Sequence, residues 1–209
     1  MAKALRYAAL SFLILPLAAP AIEMEGVTMV STSGPRVVQK AQAARARLSE
    51  DGRQVLTDAI ELQMSFEDGK SAVASGDQGF IVIGGEGTLD LPKGTEAPTP
   101  TQAEVLAISR DFSRLGRVGD ILLVSQSRKD IATLGSSGAL RSTKLLWSES
   151  YKHYILPEDF QQTMNLPDGT TLRLEGSCAI INQDFTRWNY FGDDKEPASL
   201  EVEGKEPTP

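Results

Sequence analysis

The sequence predicts a mainly β domain built from one antiparallel sheet, and two features support this. Apolar and polar residues alternate over residues 60–66 (IELQMSF) and again on both sides of Asp168-Gly169. A period of two places the apolar members of each run on one face of a sheet. The Asp-Gly pair recurs at residues 51–52 and 68–69, and it is typical of hairpin turns because glycine adopts the positive φ that such turns need.

The N-terminal residues predict an export signal. Lys3 and Arg6 precede an apolar run over residues 7–21 that ends in Ala-Pro-Ala, the small-residue pattern of a cleavage site. The alternative is a short membrane anchor, although a spanning helix takes about 20 apolar residues. We expect a lead-in over residues 22–36, a β domain over residues 37–193, and a disordered acidic tail over residues 194–209.

Residues 37–48 (VVQKAQAARARL) fit two structures equally well. Their Ala, Arg and Gln content favours a helix, whereas their alternation fits a strand. The following segments are clearer: residues 58–66 predict a strand, and residues 70–74 its hairpin return. The continuous apolar run at residues 80–83 indicates a strand that is covered on both faces.

One short helix interrupts the predicted strands. Thr101 and Glu104 have the spacing of a capping box, and apolar residues then recur at helical spacing up to Leu115. This pattern predicts a helix over residues 102–115. A single helix beside a sheet would cover one open face or one end of it.

The composition argues against several functional classes. The formal net charge is −7 and no basic stripe is present, so nucleic acid is not an expected partner. His153 and Cys178 are the only residues of their types, which leaves no histidine cluster for zinc and no internal disulfide. We therefore expect no enzyme, no metal site and no cofactor, and only a weak case remains for a hydrolase.

The apolar face of the sheet is the remaining candidate for a binding site. It fills a core under one interpretation and holds a ligand with long apolar chains under the other, and the pattern alone leaves both open. The residues that would contact such a ligand are Leu62, Met64, Phe66, Trp147, Met164, Leu166, Leu172 and Leu174.

Several segments resemble the LptC family of periplasmic lipopolysaccharide-export proteins. These segments are residues 59–69 (AIELQMSFEDG), 118–123 (VGDILL), 141–147 (RSTKLLW), 166–172 (LPDGTTL), 182–185 (NQDF) and 191–193 (FGD). The resemblance implies a folded-over antiparallel sheet, a twisted jelly roll with an open seam. It differs from the family pattern in the helical segment at residues 102–115.

The resemblance also implies a function. Such a protein carries lipopolysaccharide without catalysis, holds the acyl chains in an apolar β groove, and acts in the periplasm, where the N-terminal segment attaches it to the inner membrane. Its partners would be an inner-membrane transporter and a periplasmic bridge protein, which pair with edge strands near residues 37–48 and 187–191. The alternatives are an LptA-like soluble bridge protein and an exported β scaffold without a ligand.

Overall fold

The computed structural model describes residues 22–33, 36–66, 69–87, 95, 97–110, 116–133, 138–183, 185, 187–192 and 198–203. Within these ranges the chain forms one helix, α1 (Gln102–Arg110), and a single sheet. The strands are β1 (Glu23–Ser33), β2 (Arg36–Leu48), β3 (Gln54–Thr57), β4 (Ile60–Ser65), β5 (Ser71–Gly76), β6 (Gln78–Val82), β7 (Ile121–Thr133), β8 (Gly138–Ser148), β9 (His153–Leu156), β10 (Phe160–Asn165), β11 (Thr171–Gly176), β12 (Cys178–Asn182), β13 (Trp188–Phe191) and β14 (Ser199–Glu203).

The chain runs back and forth as an antiparallel meander, which confirms the mainly β, folded-over sheet. The glycines of the three predicted Asp-Gly turns all have positive φ: 69° at Gly52, 82° at Gly69 and 87° at Gly169. Asp168 also accepts a hydrogen bond from the backbone N–H of Thr170 at 2.8 Å. The local sequence therefore determines the conformation of these turns, as predicted.

A crease crosses the sheet and folds it over. It separates β3 from β4, β5 from β6, β9 from β10 and β11 from β12, while β2, β7 and β8 run through it. Polar side chains replace part of the interstrand hydrogen bonding there. Asp77 accepts from the backbone N–H of Gln126 at 2.9 Å, and Glu158 accepts from Thr143 at 2.5 Å and pairs with Lys144.

The crease divides the sheet into two halves that face each other. We call the half whose outer face carries α1 the covered half; it contains β3, β6, β9, β12 and β13. The other half, on whose outer face no described helix packs, is called the bare half and contains β4, β5, β10, β11 and β14. Register in the covered half aligns one inward row across the strands: Val55, Ile81, Ile121, Trp147, Tyr154, Ile181 and Trp188. The matching row in the bare half is Ala41, Leu62, Ala74, Ala132, Leu140, Gln162, Leu174 and Leu200.

Helix α1 lies on the outer face of the covered half. Val105 and Ile108 pack with outward-facing residues of the sheet such as Leu122, Leu146 and Ile180. The predicted capping box forms, since the backbone N–H of Thr101 donates to Glu104 at 2.7 Å and the backbone N–H of Glu104 donates back to the Thr101 hydroxyl at 3.3 Å. Apolar layers thus cover both faces of β6 at residues 80–82, as the run predicts. Ile83, the last residue of that run, lies beyond the strand and is 45% exposed.

Three expectations need correction. The predicted lead-in, residues 22–36, contains strand β1, which pairs along β2 from Glu23 to Ser33. The predicted disordered tail, residues 194–209, contains strand β14, which pairs with β11. Both segments become strands because they pair with a neighbouring strand, and amino-acid composition does not reveal such pairing. The strand near residues 37–48 is not the expected edge strand of the sheet, because β1 pairs with β2 on its outer side. The strand near residues 187–191 is an edge strand, because β13 pairs only with β12 among the described residues.

Pairing on both sides settles residues 37–48 as part of strand β2 rather than helix. The helix at residues 102–115 is present over Gln102–Arg110, and its predicted continuation to residue 115 lies outside the described residues. The predicted signal segment, residues 1–21, lies outside them as well. Within the described part of the chain, no helix is long and apolar enough to cross a membrane.

Candidate functional site

The interior between the two halves is packed shut around strands β4 and β8. Leu62, Met64 and Phe66 are 0%, 1% and 9% exposed, and Trp147 is 3% exposed. All four belong to one core cluster, and the alternation of β4 is confirmed because its polar residues are exposed. These predicted site residues are in contact with the core, so a ligand reaches them only if the halves separate.

The same inner face becomes accessible at its C-terminal end. Met164 and Leu172 are directly opposite each other on β10 and β11 and are half-buried. Leu174 is also half-buried and lies opposite Leu200, which is 58% exposed on the edge strand β14. Apolar side chains therefore continue from the closed core to the solvent along this face. We call this region the open end of the cleft; the half-buried Tyr190 and the fully buried Gln162 lie at its inner boundary.

Leu166 differs from the other predicted site residues. It follows β10 and is 39% exposed at the turn that precedes β11. Its backbone N–H donates to the carbonyl of Thr170 at 2.8 Å, which closes the hairpin. The structure therefore places Leu166 at the rim of the cleft, and the predicted set of eight residues divides into four core, three open-end and one rim position.

A chain of aromatic rings joins the halves beside the open end. Phe185, in the turn after β12, packs against Phe66 and Tyr154 with ring centroids 5.1 and 4.9 Å away. From Phe185 the chain continues through Trp188 at 5.7 Å to Tyr190 at 5.9 Å, each distance measured to the preceding ring. Aromatic pairs in this distance range contribute about 0.5–1.5 kcal/mol beyond their buried area. The chain reaches the other half at Phe66 and, through Tyr190, at Phe160, whose ring lies 5.8 Å from that of Tyr190. These two contacts hold the halves together, and the others fix the rings within the covered half.

Two buried glutamines bridge the halves through tyrosine hydroxyls. Gln39 Nε2 donates to the Tyr154 hydroxyl at 2.6 Å, and the Tyr190 hydroxyl donates to Gln162 Oε1 at 3.0 Å. Burial raises the pKa of Tyr190 to about 12, and burial also raises the pKa of Tyr154. Both phenols therefore stay protonated as neutral hydrogen-bonding groups.

The sequence did not identify Gln162 as part of this region. A polar residue in an alternating strand is expected to face solvent, yet Gln162 is 0% exposed and points to the inner face. Trp188 and Tyr190 were missed as well, although their spacing of two places both rings on one face of β13. Leu200 was missed because the tail was not expected to form a strand.

The buried acidic groups have structural partners. Asp120 accepts hydrogen bonds from the backbone N–H groups of Gly116, Arg117 and Glu149, at 3.1, 3.1 and 2.7 Å. Burial raises the pKa of Asp120, and these three donors oppose that rise. Glu149 in turn accepts from the Trp147 indole at 3.1 Å. The pair thus joins the loop before β7 to the turn after β8.

The described residues contain no group of three or more His, Cys, Asp or Glu side chains that would hold a metal ion. His153 is 9% exposed, and its Nδ1 faces the carbonyl of Tyr151. The cleft therefore offers apolar surface, aromatic rings and neutral hydrogen-bonding groups, which suit the binding of an apolar chain. No protein-family model and no curated protein matches this sequence.

Proposed function

We propose that this protein is a non-enzymatic carrier of lipopolysaccharide in outer-membrane lipid export, and that the open end of the cleft holds acyl chains. The observation that carries the proposal is the largely apolar inner face, which the buried Gln39 and Gln162 interrupt. This face is packed shut over Leu62 and Met64 and becomes accessible at Leu172 and Leu174. Each CH₂ group that leaves water contributes about 0.8 kcal/mol. A few methylenes resting on this surface therefore supply useful affinity.

The shape of the site also favours a chain over a compact ligand. Met164 and Leu172 form one pair across β10 and β11, and the next inward position on β11 is Leu174. Methionine adapts to irregular apolar shapes, and the rings of Trp188 and Tyr190 offer broad surfaces on the facing half. Polar head groups of a bound lipid would remain outside, near the exposed Leu200.

The proposed setting is the periplasm, with the N-terminal segment acting as an export signal or as an attachment to the inner membrane. Three strands pair on one side only within the described residues: β1, β13 and β14. Their free N–H and C=O groups suit strand pairing with an inner-membrane transporter at one end and a periplasmic bridge protein at the other. An LptA-like bridge would use the same edges.

Photo-crosslinking in living cells tests the proposal. A benzophenone side chain is placed at Leu172 or Leu174, and at Arg173 as the matched control, because alternation puts Arg173 on the opposite face of β11. Lipid adducts at both leucines, identified by mass spectrometry and absent at Arg173, support a carrier. A folded, exported protein that gives no adduct at either leucine excludes this site and favours a β scaffold without a ligand.

A further inference from the structure

Gln162 has a hydrogen-bond donor without an acceptor. Its Oε1 accepts from the Tyr190 hydroxyl, whereas its Nε2 has no partner within the described residues. The side chain is 0% exposed, so bulk solvent does not supply the acceptor. Buried polar groups are paired in the large majority of cases, and each exception calls for an explanation.

The surroundings of this amide are apolar and lie at the boundary of the open end. The inward row runs from exposed Leu200 through half-buried Leu174 to Gln162, and Leu140 beyond it is fully buried. Gln162 is thus the first fully buried position met from the solvent. Because the amide is fully buried, a ligand reaches its Nε2 only when the side chains that cover it move aside, and the ligand then lies against the hydrocarbon of these leucines.

The register also limits where the rest of such a ligand lies. Beyond Gln162 the row is closed by Leu140, so a chain cannot continue inward. It can extend along the neighbouring row, over Met164 and Leu172, which are half-buried. The ligand atom at Gln162 is therefore flanked by hydrocarbon of the ligand itself and does not form its charged end.

We propose that Gln162 recognises an uncharged oxygen within an acyl chain, such as an ester carbonyl or a chain hydroxyl, to which its Nε2 donates a hydrogen bond. This inference rests on the proposed lipid-carrier function and names the chemical feature that the site selects. An ionised carboxylate is the wrong ligand here, because a neutral amide does not compensate a buried charge. The Tyr190 hydroxyl holds the other end of the amide and orients the donor.

Two probes of equal chain length distinguish the contribution of the oxygen to binding from the contribution of the hydrocarbon chain. 7-Tridecanone and tridecane differ by one mid-chain carbonyl, and each is titrated as a competitor of a bound fluorescent apolar dye, N-phenyl-1-naphthylamine. The wild-type protein should bind the ketone about fivefold more tightly than the alkane, the effect of one hydrogen bond. Gln162→Met has similar length and no donor, so it should keep its affinity for the alkane and bind the ketone more weakly than the alkane, because the carbonyl is then buried without a partner.

The outcomes are distinguishable. Equal binding of both probes by the wild type, or a ketone preference that survives in Gln162→Met, overturns the role of Gln162 and leaves the lipid site intact. Binding of neither probe by the wild type overturns the lipid site and this inference together. A second measurement does not depend on the variant's folding: the side-chain amide resonances of Gln162 in the wild type should shift with the ketone and not with the alkane, and unchanged resonances with bound ketone contradict the proposal.

Discussion

Phe185 packs against Phe66 with their ring centroids 5.1 Å apart, and this contact joins the turn after β12 to the end of β4 on the opposite half of the sheet. Phe185 has a positive φ of 59°, a conformation that costs a residue other than glycine about 1–2 kcal/mol. The rings of Tyr154 and Trp188 also contact Phe185. The aromatic contacts therefore offset a local strain and hold the cleft closed at this point.

Phe185→Ala should lower the free energy of unfolding by about 2 kcal/mol. Truncation of a buried phenylalanine costs about 3–5 kcal/mol, and Phe185 is only half-buried, while alanine keeps the strain at positive φ. Urea denaturation measures the change. Ile83→Ala is the control, because Ile83 is 45% exposed, and its loss should stay within about 0.5 kcal/mol. Equal losses in the two variants would contradict a role for Phe185 in joining the halves.

The crease requires a residue without a side chain at Gly176. A Cβ atom at this position would lie 2.7 Å from the carbonyl oxygen of Phe191 and 2.8 Å from the ring of Phe160. Gly176→Ala should therefore lower the free energy of unfolding by about 1–3 kcal/mol, as overpacking does, and a chemical denaturation curve measures it. Gly116→Ala is the matched control, since nothing lies within 4 Å of its Cβ. A neutral Gly176→Ala would show that the crease tolerates a side chain.

The alternation of β4 gives a third prediction. Leu62 is fully buried opposite Ala41 and Ala74, so Leu62→Ala should destabilise the protein by about 3 kcal/mol through lost burial and the cavity left behind. The adjacent Gln63 faces solvent, and Gln63→Ala should change stability by less than about 0.5 kcal/mol. Thermal and urea unfolding of the pair test the face assignment. Similar effects from both substitutions would refute it.

The sequence predicts those parts of the fold that depend on local chemistry. Asp168-Gly169 determines a turn, Thr101 and Glu104 determine the start of α1, and alternation assigns the faces of β4. Strands β1 and β14 were not predicted because their own residues are polar or mixed. Each becomes a strand only through pairing with β2 or β11.

The site was predictable only in part for the same reason. Alternation correctly places Leu172 and Leu174 on one face, but it does not show which stretch of that face is sealed. Sealing depends on contacts between residues distant in sequence, such as Phe66 with Phe185. The inward position of Gln162 likewise depends on its hydrogen bond to Tyr190 from the facing half.

Cys178 gives the last prediction, which concerns alkaline pH. The thiol is fully buried under α1, and this burial raises its pKa from 9.0 to about 11. Between these two values the thiol ionises in the unfolded chain and not in the folded one, so its contribution to stability is complete below pH 9 and is lost as the pH rises through about 11.

Cys178→Ala should be less stable than the wild type at pH 8, because it removes a buried apolar group. The difference in unfolding free energy between the two proteins should then narrow steadily from pH 9 to pH 10.5 in urea titrations. The tyrosines with raised pKa, Tyr154 and Tyr190, are present in both proteins and cancel in the comparison. A difference that stays constant over this range would mean that water reaches the thiol, and that α1 does not seal the outer face of the covered half.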